Sequence, residues 1–278
     1  MEGMAENIKH NKIKKVMVFG YGNMGEKHVR FLNRDDCEWK WHDPHTSSEC
    51  PTFDFDYAII STPILTHYQV YKYLRNRFDG PILVEKPAVI YREQFDIFDD
   101  PKVFVGVIER YNPVVKRLKE LLKNEEIISL EFTRVFENCR GEPYFELAIH
   151  DLDLMVYLLD LKPETEFEQL ALRSRKRVYI GEIKQKEIYS QFIKKPPTCI
   201  FAWGESTEKC REIKAVCGNK CITANLSEKK IVTVGIGNVE REYFEEHPLK
   251  LEHDAFLKGE CPNNVKFSHD LMLRLLGC

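Results

Sequence analysis

The sequence predicts an α/β protein: a doubly wound parallel sheet followed by an α+β domain with an open, mainly antiparallel sheet. Between residues 16 and 122, short apolar runs alternate with amphipathic stretches, a pattern typical of parallel strands and crossover helices. After residue 123, apolar and polar residues alternate, which indicates strands with one covered face. We therefore predict two domains, residues 1–122 and 123–278, with the polar residues 1–12 forming a disordered start.

The first predicted strand runs directly into a glycine-rich turn. Residues 16–19 are apolar, and three glycines follow at G-x-G-x-x-G spacing before a helical stretch. Such glycines allow a tight turn, close approach of a pyrophosphate and close packing of helix on strand, while the helix N-terminus attracts phosphate. We therefore predict a Rossmann domain whose turn binds a dinucleotide through Gly20, Tyr21, Gly22, Asn23, Met24 and Gly25.

An acidic residue follows the second predicted strand. Asp43 lies eighteen positions after Gly25, close to the roughly 20-residue spacing of an acid that binds the ribose 2′-hydroxyl. Residues 44–50 contain no lysine or arginine that would neutralise a 2′-phosphate. The predicted cofactor is therefore NAD, and NADP is disfavoured.

Composition excludes several classes of protein. The 278 residues include 41 basic and 44 acidic side chains, and no basic block interleaves with aromatics as in a nucleic-acid surface. No apolar run approaches the roughly 18 residues that a membrane span needs. The nine cysteines are scattered without a secretion signal or metal-ligand spacing, which favours reduced thiols in a cytoplasmic protein without a bound metal.

A helix is predicted over residues 146–159, within the otherwise alternating region. Glu146 and His150 are four residues apart and would share one helix face. A histidine pKa near 6.5 suits proton transfer at neutral pH, and a neighbouring carboxylate favours the protonated ring. The alternative interpretation is a structural histidine on an amphipathic helix.

Four short motifs occur in order within the first 155 residues. They are Gly20-x-Gly22-x-x-Gly25-x-x-His28, Thr62-Pro63 with His67, Glu85-Lys86-Pro87, and His150-Asp151-Leu152-Asp153. Together they resemble the Gfo/Idh/MocA oxidoreductases. Residues 107–113 look most like the members that oxidise C3 of UDP-N-acetyl sugars. Glu146 departs from the pattern, because the family usually has aspartate there.

The resemblance implies an NAD-dependent dehydrogenase that oxidises a secondary hydroxyl of a sugar, and in particular of a nucleotide sugar such as a UDP-N-acetylhexosamine. The second domain would then bind substrate and form a homodimer or homotetramer, because its sheet carries apolar residues such as Ile200, Ala202 and Val232 on a second face. Three alternatives remain: a non-catalytic regulator that binds NAD or sugar, an inositol-type polyol dehydrogenase, and a tetrapyrrole reductase. Regulators of this family usually lose the lysine or the histidine, and both are present here.

Site residues follow from the resemblance and from the chemistry of hydride transfer, which needs a base and a cation beside the developing alkoxide. The catalytic set is Lys86, His150 and Glu146. Beyond the glycine turn, the cofactor set contains Asp43, Ser61, Thr62, Pro63, His67, Glu85 and Lys86. The substrate set is Lys86, Arg110, Tyr111, Asn112, His150 and Asp153. Arg110 has a second interpretation as an ion-paired structural residue.

Overall fold

A computed structural model describes residues 12–45, 54–137, 144–175, 177–186, 196–262 and 264–277. The predicted disordered start lies outside these residues except at its last position. Six α-helices lie in the described part of the chain: α1 Asn23–Leu32, α2 His67–Arg75, α3 Pro113–Leu122, α4 Ile149–Leu158, α5 Pro248–Phe256 and α6 Val265–Leu276. None of these helices is long and apolar enough to cross a membrane.

The first sheet, sheet A, is parallel throughout and has the order β2-β1-β3-β4-β5. Its strands are β1 Lys14–Phe19, β2 Cys37–His42, β3 Tyr57–Ile60, β4 Ile82–Glu85 and β5 Val103–Gly106. The inner strands are apolar on both faces because helices cover both sides. Helix α2 packs on one face, and α1 with α5 lies on the other. This confirms the predicted doubly wound sheet.

The second sheet, sheet B, has the order β13-β12-β11-β10-β6-β9-β8-β7. Its strands are β6 Ile127–Phe136, β7 Phe167–Arg175, β8 Val178–Gln185, β9 Thr198–Glu205, β10 Cys210–Cys217, β11 Lys220–Asn225, β12 Lys230–Gly235 and β13 Asn238–Tyr243. All neighbours are antiparallel except β6 and β9. The mainly antiparallel sheet is therefore confirmed. A strand predicted over residues 186–192 lies almost wholly outside the described residues.

Helices α3, α4 and α6 cover one face of sheet B. Their apolar residues share a core with the inward side chains of the sheet, such as Phe132, Phe201 and Trp203. Phe201 stacks between the other two rings, at centroid distances of 4.9 and 5.1 Å. This core holds α4 against the sheet and thereby fixes the position of His150.

Two helices each pack on the sheet that is formed by the other part of the chain. Helix α3 precedes residue 123 but packs in the core of sheet B, whereas Phe256 of α5 packs against Tyr57 and Phe104 of sheet A. The domain boundary at residues 122 and 123 stays a prediction. The packing shows that each sheet needs residues from both sides of that boundary.

Candidate active site

The glycine turn has the space that a dinucleotide site requires. A Cβ on Gly25 would lie 2.1 Å from the carbonyl oxygen of Gly20, so the helix approaches the turn as closely as only glycine permits. A Cβ on Gly22 would meet no atom within 4 Å, which leaves open space above the backbone. Helix α1 starts at Asn23 without a side-chain cap. Its first N–H groups are therefore suited to binding a pyrophosphate.

Asp43 lies beside this turn at the end of β2. Its Oδ2 accepts a hydrogen bond from the backbone N–H of Tyr21 at 2.8 Å, and its Oδ1 accepts one from that of His45 at 2.9 Å. These two bonds hold the pKa of the Asp43 carboxyl below its usual range. A carboxylate at this position fits the predicted contact with a ribose hydroxyl. The NAD preference itself stays a prediction.

The loop after β3 contributes one unsatisfied polar group. The hydroxyl of Thr62 is buried and has no hydrogen-bond partner among the described residues, which is a costly arrangement unless a ligand supplies the partner. The imidazole of His67 is buried and lies between the carbonyl oxygens of Thr62 (2.8 Å) and Pro87 (3.0 Å). Ser61 donates to the carbonyl oxygen of Gly20 at 2.9 Å. His67 and Ser61 therefore join the loops around the glycine turn, and the cofactor contacts predicted for Ser61, Thr62 and His67 stay predictions.

Glu85 ends β4 in a buried chain of hydrogen bonds. Its Oε1 lies 3.0 Å from Nε2 of His28, and Nδ1 of His28 lies 2.8 Å from Nε2 of His253 on α5. Although burial opposes ionisation, the hydrogen bond and charge of His28 hold the pKa of Glu85 below its usual range. The backbone N–H of Lys86 donates to Oε2 at 3.2 Å. This chain fixes the peptide that carries Lys86, which continues into a cis bond to Pro87.

Lys86 points from sheet A towards the segment that carries His150. Its Nζ donates a hydrogen bond to the backbone carbonyl oxygen of Glu146 at 3.2 Å. Burial lowers the pKa of the Lys86 ammonium, and the negative charge of Glu85 offsets part of that effect. A partly desolvated ammonium interacts more strongly with a developing anion than one in water does.

His150 lies on α4 in a cationic environment. Burial lowers its pKa well below the usual value, and the charges of Lys86, Arg134 and Arg211 lower it further. This corrects the expectation of a carboxylate that raises the pKa. Glu146 lies in a π-helical turn, Tyr144–Ala148, and not in a continuous α-helix with His150. The ring is therefore neutral at neutral pH, and its lowered pKa makes it a weaker base than a free imidazole.

A buried ionic network that was not predicted from the sequence lies behind His150. Arg134 on β6 donates to Oε1 of Glu109 at 3.0 Å and to Oδ1 of Asp151 at 2.9 Å. Asp151 also accepts from the indole N–H of Trp203 at 2.9 Å, and Arg211 lies 3.3 Å from Glu109. The sequence feature that could have predicted this network is Arg134, because strand alternation places it on the same inward face as Phe132.

Four residues of the predicted substrate set are engaged within the protein. Arg110 and Asp153 form a buried two-point ion pair at 2.7 and 2.6 Å, so neither is free to hold a substrate. Buried Asn112 caps α3 and donates to Glu109. Tyr111 is half-buried; burial raises the pKa of its hydroxyl, and the charge of Glu252 adds to that shift. The substrate contacts predicted for this set stay predictions, and for Arg110, Asn112 and Asp153 they would have to compete with these internal bonds.

A cavity of about 920 Å³ opens beside Lys86. Its walls are mainly apolar and come from the loops after β3 and β4, the π-helical turn and the end of α6. They include Pro63, Ile64, Leu65, Lys86, Pro87, Ile90, Tyr91, Phe145, Glu146, Leu273 and Leu276. Within the described residues, no three His, Cys, Asp or Glu side chains are grouped to hold a metal ion. Lys86 therefore lies in the wall of a cavity that has room for a reacting molecule.

Solved structures share this architecture. UDP-N-acetylglucosamine 3-dehydrogenase GnnA from Acidithiobacillus ferrooxidans superimposes with a TM-score of 0.77 at 16% identity, over 95% of this chain and 96% of that one. A dehydrogenase (MviM) from Clostridium difficile gives 0.73 at 16% identity, over 96% and 98%. The 3-ketoreductase KijD10 from Actinomadura kijaniata, in complex with TDP-benzene and NADP, gives 0.74 at 13%, over 95% and 96%.

No protein-family model and no curated protein matches the chain. The solved structures show that the chain has the two-domain fold of these dehydrogenases over nearly its whole length. At the level of the fold, this confirms the resemblance to the Gfo/Idh/MocA oxidoreductases.

Proposed function

We propose that the protein is an oxidoreductase that uses NAD to oxidise a secondary hydroxyl of a nucleotide sugar. The observation that carries the proposal is that the Lys86 ammonium lies against the turn that leads into the helix of His150. The two residues are far apart in sequence, but the Lys86 ammonium contacts the turn before α4 and is the charge with the largest effect on His150. A cation next to a neutral imidazole is the pair that alcohol oxidation requires.

Each side chain has a defined task in this proposal. The neutral imidazole of His150 accepts the hydroxyl proton, and the Lys86 ammonium donates a hydrogen bond to the alkoxide that develops. Because both groups are partly shielded from water, the ammonium stabilises that charge more strongly than it would in solvent. Glu146 positions Lys86 through its backbone carbonyl oxygen. We therefore propose Glu146 as a positioning residue rather than as the partner of His150.

The residues present fit a nicotinamide dinucleotide. The open space above Gly22, the uncapped start of α1 and the unpartnered Thr62 hydroxyl would hold its phosphates and ribose, and Asp43 would bind the adenosine ribose. The bound nicotinamide supplies the hydride acceptor. The fold of KijD10, which was solved with NADP, is compatible with a cofactor of this class.

The substrate class is proposed from three supports. The solved structures that share this fold include a UDP-N-acetylglucosamine 3-dehydrogenase and a ketoreductase solved with a TDP ligand. The cavity beside Lys86 is large enough for a sugar with a bulky substituent. Its apolar walls suit an N-acetyl group or a base better than they suit a bare polyol, which disfavours the inositol-type alternative.

A two-stage experiment tests the proposed function. Purified protein with saturating NAD is screened against nucleotide sugars by thermal shift, because a bound ligand raises the melting temperature by mass action. Ligands that stabilise the protein are then assayed for NADH formation by absorbance. Stabilisation with turnover supports the enzyme, whereas stabilisation without turnover by any ligand supports the non-catalytic regulator.

We also propose a homo-oligomer that uses the open face of sheet B. Helices cover the opposite face, while Val178, Ile180 and Ile200 on neighbouring strands are 45%, 54% and 39% exposed. Apolar sheet faces are normally buried by a partner, and two-fold pairing is commonest. A monomer in light scattering at micromolar concentration would contradict this.

The cysteines that the structure describes are free thiols, which supports the proposed cytoplasmic location.

A further inference from the structure

Hydrogen bonds between its walls hold the cavity beside Lys86 in shape. The loop after β4 meets α6 where the backbone N–H of Ala88 donates to Nε2 of His269 at 3.0 Å. The π-helical turn meets α6 where the hydroxyl of Tyr144 donates to the carbonyl oxygen of Met272 at 2.6 Å. These four residues are all buried. The cavity is therefore a preformed space, as ligand-binding pockets usually are.

Lys86 gives the cavity a polar contact that fits an oxygen atom of a ligand. Its ammonium donates to the neutral carbonyl oxygen of Glu146, and no carboxylate of the described residues pairs with it. Arg92 is another cation in the wall, but it pairs with Asp270 on α6 at 2.5 Å. Little positive charge is therefore left along this cavity for a diphosphate, and we expect that part of a nucleotide sugar to lie outside it.

Two large apolar side chains in the cavity wall are open to solvent. Leu65, in the loop after β3, is 61% exposed, and Tyr91, in the loop after β4, is 55% exposed. Apolar side chains that line a concave surface typically mark a ligand-binding site. Further apolar residues from three segments of the chain complete the lining: Ile64, Ile90, Phe145, Leu273 and Leu276.

We propose that this cavity binds a linear acyl arm of the substrate, longer than an acetyl group, while the hydroxyl to be oxidised lies at Lys86. The inference rests on the proposed function and narrows its substrate class to sugars with an extended N-acyl substituent. An acetyl group is small beside a cavity of about 920 Å³, which lies in the upper part of the range for complete drug-sized ligands. The methylene groups of a longer acyl arm would fill this space and leave water.

The nucleobase of the substrate is the rival occupant of the cavity. A base would stack on the exposed ring of Tyr91. Its ring nitrogens and carbonyl oxygens would then be buried against mainly apolar walls, which is costly without hydrogen-bond partners. An acyl arm has no such groups beyond its amide, so it fits these walls better.

Calorimetry with saturating NADH tests the acyl site, because substrate then binds without being oxidised. The ligands are UDP-glucosamines that carry N-acetyl, N-butyryl or N-hexanoyl groups. Each added methylene that is buried should lower Kd about fourfold. Leu65→Asn, which places a polar group in the wall at an exposed position, should reduce that step, whereas Leu65→Met should retain it. Ile236→Asn, at a 91% exposed position after β12, is the matched control and should bind like the wild type.

Three results would overturn the acyl site. The first is a Kd that stays constant or rises as the chain lengthens. The second is a step per methylene that Leu65→Asn leaves unchanged or that Ile236→Asn reduces equally. The third is UDP that binds as tightly as the acylated ligands and is weakened by Tyr91→Ala, because the cavity then holds the base.

The failure of the proposed function would look different. If no UDP ligand binds, the same chain lengths are tested as alkyl glucosides. A fourfold step there keeps the apolar site and refutes the nucleotide part of the proposed function, whereas a flat series overturns the site as well. Chain-dependent binding without NADH formation in the assay with NAD leaves the site standing while the oxidation fails. Turnover with a KM that does not depend on chain length has the opposite meaning.

Discussion

The Lys86→Met variant should bind its cofactor and lose turnover. Methionine keeps an apolar stem of similar length but removes the ammonium, while the glycine turn at Gly22 is untouched. A charged hydrogen bond made mainly in the transition state contributes about 2.7–4 kcal/mol, so kcat should fall by about 10²–10³. The lost bond to the Glu146 carbonyl should cost only about 1–3 kcal/mol of folding stability.

The same variant should change the pH profile. The positive charge of Lys86 helps to hold the pKa of His150 below its usual range. Removing the charge lets that pKa rise, so the acidic limb of kcat/KM for oxidation should move to higher pH. Initial rates of NADH formation at a series of pH values measure both effects. Lys102→Met, which removes an exposed lysine at the amino-terminal end of β5, the end of the strands away from Lys86, should change neither. Unchanged turnover, or an acidic limb that stays in place, would refute the reasoning.

Three other predictions use the same protein. His150→Asn should remove an acidic limb that lies below about pH 6.5 in the wild type and cut the rate by about 10²–10⁴; an intact profile would make His150 structural. Asp43→Asn should raise affinity for NADP relative to NAD in fluorescence titrations, and wild type that binds NADP tenfold tighter than NAD would reverse the cofactor assignment. Glu252 is buried, its carboxyl oxygens have no partner among the described residues, and burial raises its pKa well above the usual value. The folded state therefore retains a proton that the unfolded chain loses above about pH 4.3, and stability falls as pH rises by up to about 1.4 kcal/mol per pH unit. Urea unfolding should show Glu252→Gln gaining stability over wild type between pH 5 and pH 8, and a constant difference would contradict the assignment.

Local patterns were sufficient to predict the glycine turn and the strand ends. The turn at Gly20, Gly22 and Gly25 requires glycine at a fixed spacing that few other structures need. Parallel strands bring their carboxyl ends to one side of the sheet. Lys86 and Asp43 could therefore be placed from their positions alone. The antiparallel character of sheet B also followed from alternation after residue 123, but the polar and apolar residues of β7, β8 and β13 alternate too poorly for these strands to be predicted one by one.

The pairing of charges could not be predicted in the same way. Arg110 and Asp153 are separated by a helix and a strand, and only tertiary packing decides that each neutralises the other. The network of Glu109, Arg134 and Asp151 depends likewise on how α4 lies on sheet B. The same packing decides that the charges of Lys86, Arg134 and Arg211 act on His150. This is why the sequence suggested a carboxylate beside the ring where the structure has cations.

The placement of α5 has a consequence for how this protein is made. Phe256 and Leu257 complete one face of sheet A, and His253 completes the hydrogen-bond chain that starts at Glu85. A ribosome must therefore release the chain as far as residue 257 before the first sheet can close. Until then, Phe104 and its neighbours remain exposed in the nascent polypeptide, where chaperones or aggregation compete for them. A fragment that stops at residue 122 should be insoluble for the same reason.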